Sequence, residues 1–216
     1  TRIGSSAASD VYKRQPIYLA TLGPKSLQMT GEVADGWLGT CFMPEAGHVF
    51  LDDLAAGAKR AGRSLKDIDI HTGGYFEVSD DVERLVADRK PAMAFTLGAM
   101  GSAKTNFYND AYCRAGYEDD AKAVQSLWIE GKRDQAIARV PDEMVLLTNF
   151  IGTEEMVRAR LRAFRDAGVN TIGLNTGGKS WTERTAALEE AADLVLNETA
   201  NSVSYTHLRA HETLSY

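Results

Sequence analysis

Residues 16–40, PIYLATLGPKSLQMTGEVADGWLGT, constrain the fold more than any other stretch of the chain. A short apolar run, Pro16 to Ala20, meets a turn at Leu22-Gly23-Pro24. An amphipathic segment follows, with Leu27, Val33 and Ala34 on its apolar side, and Asp35-Gly36 leads into a second apolar run at Trp37 and Leu38. The order strand, tight turn, helix, strand is one βα unit of a parallel sheet. Pro24 suits the first helical position, because its missing N–H would be unpaired there in any case. Gly23 lets the backbone come close to a ligand at the strand's carboxyl end. The free N–H groups of a helix N-terminus lie beside it, where an anion can sit.

The two ends of the chain read differently. Ser5 to Gln15 (SSAASDVYKRQ) and Val203 to Thr213 (VSYTHLRAHET) match translations of the two transposase sequencing adapters, in the right order and orientation. Thr1 to Gly4 and Leu214 to Tyr216 then read as adapter plus sample index. Residues 1–15 and 203–216 are therefore set aside as non-native and expected to pack poorly, and 16–202 is expected to be an internal piece of a longer gene product. Within 16–202 the 24 basic residues of the chain fall to 20, and the 30 acidic ones to 28. A net charge near −8 makes neither nucleic acid nor an anionic membrane the default partner. No run approaches the roughly 20 apolar residues of a membrane span. Cys41 and Cys113 give no metal spacing and no disulfide framework, which favours a reducing, cytoplasmic compartment.

Beyond Thr40 the alternation continues. Helical spacing covers Glu45 to Ala61, with Gly62 as its stop. Ile68 to Val78 reads as a strand interrupted by Gly73-Gly74. Asp81 to Lys90 is helical, and Pro91 to Gly101 reads as a further helix. From Asn106 to Leu147 come short polar helices with Phe107, Tyr108, Tyr112, Tyr117, Leu127 and Trp128 as buried points, a tract too long for a βα connection and so an insertion. Thr153 to Ala167 is a helix closed by Gly168, Val169 to Leu174 a strand, Asn175 to Ser180 a polar loop, and Thr182 to Leu196 a last helix. Four strands, each leading to helical structure, fit half of a (β/α)8 barrel; composition alone equally allows a doubly wound sheet.

The wording of several segments goes further than their pattern. The turn Ala20 to Lys25, the E-x-A-D-G-W run Glu32 to Trp37, AGRS at Ala61 to Ser64, NFYND at Asn106 to Asp110 and DAGV at Asp166 to Val169 occur together and in order. With them the chain resembles the luciferase-like monooxygenase superfamily, in its branch of oxidoreductases that use the deazaflavin coenzyme F-420. The resemblance runs from Pro16 to about Leu196. It implies a (β/α)8 TIM barrel of which this region supplies the last four strands, hydride transfer between the deazaflavin and a small organic substrate, and a homo-oligomer as one form of the parent. It also implies cofactor contact along Ala20, Thr21, Leu22 and Gly23, and at Thr40 at the end of the next strand. FMN, with oxygen activation, is the alternative cofactor, and a non-catalytic binding barrel the alternative of another class. Strand carboxyl ends carry the active site in a barrel, which places Thr72 to Gly74 and Asn175 to Gly178 around the mouth, with Lys179 either adding charge there or solvated. Acid and base residues are expected on strands outside this region, so no catalytic residue is assigned, and the chain by itself is expected to be inactive.

Other constellations carry less. His207, His211 and Glu212 have metal-like spacing but lie wholly within 203–216. Gly98 to Thr105 (GAMGSAKT) separates Gly101 from Lys104 by two residues, where a phosphate loop needs them contiguous, so a helix end is the reading. His48 reads as a surface residue at a helix start; His71 lies in a strand, with a packed or hydrogen-bonded role favoured over pocket lining. Asp80-Asp81 and Asp119-Asp120 read as helix starts.

Overall fold

The computed structural model describes residues 15–102, 104–178 and 180–199. Apart from Gln15, the two stretches read as adapter lie outside the described residues, as do Lys179 and the His207–Glu212 constellation.

Strand β1 (Tyr18–Leu19), helix α1 (Pro24–Val33) and strand β2 (Gly36–Leu38) form the expected opening unit. Helix α2 (His48–Arg60) follows a short 3-10 turn (Pro44–Ala46) from which Gly47 separates it, and Gly62, at a φ of 70°, ends it. Strand β3 (Asp69–Val78) is continuous through Gly73-Gly74 rather than interrupted there. A single helix α3 (Val82–Ala99) spans the two helical segments read from sequence, with Pro91 inside it. The insertion supplies α4 (Phe107–Tyr112), a wide helical turn (Cys113–Tyr117), α5 (Glu118–Ile129), α6 (Arg133–Arg139) and α7 (Asp142–Leu147). A strand not anticipated from sequence, β4 (Phe150–Gly152), precedes α8 (Glu154–Asp166), β5 (Thr171–Thr176) and α9 (Trp181–Thr199).

The five strands are all parallel. β1 pairs with β2, β2 with β3, and β3 with both β4 and β5. His71 has Leu38 as its partner on β2 and Thr171 on β5, so these two strands flank β3 on opposite edges. Phe76 likewise lies between Phe150 of β4 and Thr176 of β5. β2 and β4 therefore share one edge of β3, the first beside its lower part and the second beside its upper part. Between them the Asn149 side chain accepts from the Tyr75 N–H at 2.9 Å.

Alternation along the strands sorts their side chains. Trp37, Ile70, Phe76 and Phe150 are buried in one cluster with residues of α1, α2, α8 and α9, including Leu27, Leu54, Phe164 and Leu194. These four helices thus cover one face, as the outer helices of a barrel segment do. A second cluster joins α3 and the insertion helices to Met43 and Ile151, with Tyr75 packed against it. The opposite face of the sheet is the side that a (β/α)8 barrel turns inward, its concave face. It carries Tyr18, Leu38, Asp69, His71, Gly173 and Asn175, and Tyr18 and Leu38 keep 36% and 39% of their surface exposed. No helix of the described residues is long and apolar enough to cross a membrane.

Two expected core residues are in fact on the surface. Val33 is 60% exposed, because α1 turns Leu27, Thr30, Gly31 and Ala34 inward. Phe107 is 59% exposed. The Asn106 side chain accepts from the N–H groups of Tyr108 and Asn109, a cap that starts α4 with Phe107 outward and Asn109, Ala111 and Tyr112 inward.

Candidate active site

The turn at residues 20–23 leaves the carboxyl end of β1 and enters α1. Each of its last three carbonyls is held by a donor of the chain. The Trp37 indole N–H donates to Thr21 O at 2.8 Å, Arg114 Nη2 to Leu22 O at 2.6 Å, and Leu27 N–H to Gly23 O at 2.9 Å. The Ser26 hydroxyl also donates to Gly23 O, at 2.9 Å. By contrast, the N–H groups of Leu22, Gly23, Lys25 and Ser26 take no partner from the described residues, and no side chain caps α1. Acceptors point into the protein and donors point out of it. With no acidic residue in the first turn of α1, this end of the helix keeps its positive character.

Gly23 sits at φ −80° and ψ 150°, a backbone any residue adopts, and a Cβ built on it would meet only Ser26 Oγ, at 3.5 Å. Other glycines are required by the chain's own packing. A Cβ on Gly57 would stand 1.8 Å from Gln28 O, and one on Gly31 would stand 2.1 Å from Leu54 O, where α1 and α2 touch. Gly23 has no such internal reason, and the space beside it is open.

The remaining sequence candidates divide. The Thr21 hydroxyl faces α1, 2.8 Å from the buried Thr30 hydroxyl, so its side chain is engaged within the chain. Ala20 is exposed and Leu22 half-buried. Thr40 is exposed just past β2, with its hydroxyl 3.9 Å from the thiol of Cys41. Cys41 holds a φ of 59°, an uncommon backbone for a residue with a Cβ, and burial pushes its thiol up to about 11. Thr72 to Gly74 lie in mid-strand rather than at the end of β3, which continues to Val78. They do stand level with the ends of β1 and β2, since Gly39 N–H donates to His71 O at 2.7 Å. Of Asn175 to Gly178, the first two residues end β5, and Gly177 and Gly178 line a cavity of about 230 Å³ with Tyr75 and Glu77. Gly98 to Thr105 is a helix end: the N–H groups of Lys104 and Thr105 both donate to Ser102 Oγ, at 3.3 and 3.1 Å, and are turned onto the chain itself.

Glycines shape the concave face. Tyr18 lies across Gly36, where a Cβ would stand 2.1 Å from its ring, and reaches Asp69 Oδ2 at 2.8 Å. Thr171 donates to the same carboxylate at 2.9 Å, so one polar layer ties β1, β3 and β5 together. Above it His71 leans over Gly173, with Nε2 3.0 Å from the position of a Cβ there. His71 is half-buried and packed over Gly173, in keeping with the packed role read from sequence, and the register of β3 puts it on the concave face. His48 is exposed at the start of α2, as expected.

Comparison with known proteins agrees with this geometry. The family model described as luciferase-like monooxygenase matches residues 4–171. The chain belongs to the luciferase-like monooxygenase family. A Mycobacterium tuberculosis relative assigned by name to the coenzyme F-420-dependent oxidoreductases is 32% identical over 175 residues, 80% of this chain and 50% of its own. The 5,10-methylenetetrahydromethanopterin reductase of Methanolobus tindarius is 29% identical over 159 residues, 73% of this chain and 47% of its own. Among solved structures, the coenzyme F-420-dependent tetrahydromethanopterin reductase of Methanopyrus kandleri superposes with a TM-score of 0.59 at 22% identity, over 85% of this chain and 49% of that one. The fold of this luciferase-like chain is accordingly a run of consecutive units of a (β/α)8 barrel, and the chain spans about half the length of the relatives it matches.

Proposed function

We propose that the whole protein is a coenzyme F-420-dependent oxidoreductase that transfers hydride between the deazaflavin and a small organic substrate. The turn at 20–23 carries this reading, with its last three carbonyls tied inward, the amides of Leu22 and Gly23 without a partner among the described residues, and its glycine open to a ligand. A cofactor rich in acceptor oxygens and nitrogens fits such a cradle, because unpaired backbone donors bind acceptors well. Family membership and the names of the similar proteins support deazaflavin as the group bound. When bound, the deazaflavin supplies the hydride chemistry, and the chain's residues bind and orient. Leu22, Gly23, Lys25 and Ser26 would hold the cofactor through backbone N–H groups, with Thr40 beside its tail. His71 and Asn175 would face a substrate from the concave side. The free thiols Cys41 and Cys113 accord with a cytoplasmic setting.

FMN is the second reading, favoured by the monooxygenase description of the family model. Both are tested by titrating the whole protein with oxidised deazaflavin and with FMN, following cofactor fluorescence. Micromolar binding of the deazaflavin, followed by bleaching of its absorbance on addition of an oxidisable small alcohol or similar hydride donor, is the expected result. Tight FMN binding in place of deazaflavin binding would replace the first reading with the second. Binding of neither would leave a non-catalytic barrel.

A further inference from the structure

The geometry points to Arg114 as the positioning residue that aims the ligand-facing amide of Gly23, an inference that rests on reading residues 20–23 as the cofactor cradle. Arg114 belongs to the insertion, in the wide turn Cys113–Tyr117 that bends at Gly116 with a φ of 97°. Its guanidinium bridges two carbonyls distant in sequence, Leu22 O through Nη2 and Val49 O through Nη1, each at 2.6 Å. The guanidinium carbon lies 5.5 Å from the ring centroid of Phe50, and no carboxylate among the described residues pairs with it.

Trans peptide planarity gives this bridge its consequence. The C=O of Leu22 and the N–H of Gly23 belong to one rigid unit and point in opposite directions. Fixing the oxygen toward the protein therefore fixes the hydrogen toward the open side. The same holds one unit earlier, where Trp37 holds Thr21 O and so directs the N–H of Leu22. Thr21 O and Gly23 O are held by residues of the same βα unit, whereas Leu22 O is held by the insertion alone. A planar fork with two donors restrains the oxygen in direction as well as distance, since the second acceptor, on α2, locks the rotation of the guanidinium. A lysine could reach one carbonyl but not span both in this way. Water could replace the hydrogen bond to Leu22 O but would not fix the tilt of the peptide.

The test uses Arg114→Met, which keeps the apolar stem, and Arg114→Lys, which keeps the charge, both in the whole protein. Hydrogen exchange at the Trp37 indole N–H and the Leu27 amide, without cofactor, reads the turn itself. Both should exchange at least tenfold faster in Arg114→Met. Deazaflavin affinity should fall at least tenfold in Arg114→Met and less in Arg114→Lys. In Arg114→Ala, which vacates the site, low-millimolar guanidinium ion should restore affinity, a rescue that loss of general stability would not produce. Unchanged exchange at both groups in both variants overturns the inference, as does wild-type affinity in Arg114→Met. If Arg114→Met does not fold, Arg114→Lys decides by the same two measurements. If the wild-type protein binds neither deazaflavin nor FMN, the cradle reading falls, while faster exchange in the variants would still assign Arg114 the hold on the turn.

Discussion

Replacing Gly23 by valine separates stability from ligand contact, because the structure gives the new side chain room within the chain and none beyond it. The backbone at φ −80° and ψ 150° accepts a β-branched residue, and the added Cβ makes one ordinary contact, 3.5 Å from Ser26 Oγ. Removing a glycine from the unfolded ensemble stabilises by about 0.4–1 kcal/mol. Valine is a poorer helix N-cap than glycine, at a cost on the order of 0.5–1 kcal/mol. The two terms nearly cancel, so stability should stay within about 1 kcal/mol and the melting temperature within about 4 °C of wild type. The methyl groups, however, project into the space where a ligand would meet the free amides. Losing even one tenfold factor in affinity corresponds to about 1.4 kcal/mol. Thermal melting followed by circular dichroism, with fluorescence titration of the deazaflavin, measures both quantities on the whole protein. A wild-type Kd in a variant of wild-type stability would refute the contact. A large fall in melting temperature would refute the premise that Gly23 is free of internal packing.

Gly57→Ala should do the reverse: its Cβ would fall 1.8 Å from Gln28 O, so α1 and α2 must separate, at a cost of about 1–3 kcal/mol read by urea denaturation. The 216-residue chain alone should self-associate, since Ile17, Tyr18 and Leu38 are exposed on or beside the concave face. Leu38→Glu should shift its sedimentation toward monomer, and a compact wild-type monomer would count against this. Burial raises the Cys41 thiol from its ordinary value near 9 to about 11, so the folded state holds a proton that the unfolded chain releases. That stabilisation is complete below about pH 9 and disappears toward about pH 11. Melting temperatures of Cys41→Ala should accordingly decline less over this range than those of wild type, and parallel declines would contradict the assignment.

Local rules made much of this fold legible. The helix α8 could be placed from sequence because Thr153 caps it through the Met156 N–H, Val157, Leu161 and Phe164 recur on one face, and Gly168 takes a φ of 90° after it. Strand β4 could not, since Phe150-Ile151-Gly152 is too short to show a period and forms only because β3 offers it an edge. Val33 was misplaced for a related reason. The inner face of α1 is built from small and polar residues, Thr30 and Gly31 among them, that suit close approach to α2 rather than a greasy stripe. Within the candidate site, the Leu-Gly-Pro turn announced itself through its residue types. Arg114 did not, because nothing near it in sequence signals a hydrogen bond to Leu22 O.

The shared edge of β3 bears on how this protein can be shortened or recombined. Residues 106–147 look from sequence like a detachable module, and barrel loops of that kind are common targets for trimming. Here the module's exit delivers Asn149 to the Tyr75 N–H and then β4 to the top of the sheet, while Arg114 from its middle grips the turn after β1. Excising it would free the turn after β1 from Arg114 and remove the segment that carries Asn149 and β4 to the edge of β3. A minimal version of this scaffold therefore has to retain the segment or graft in a replacement with its own short strand, and a swap between relatives would transplant cleanly only as the whole span from β3 through β4.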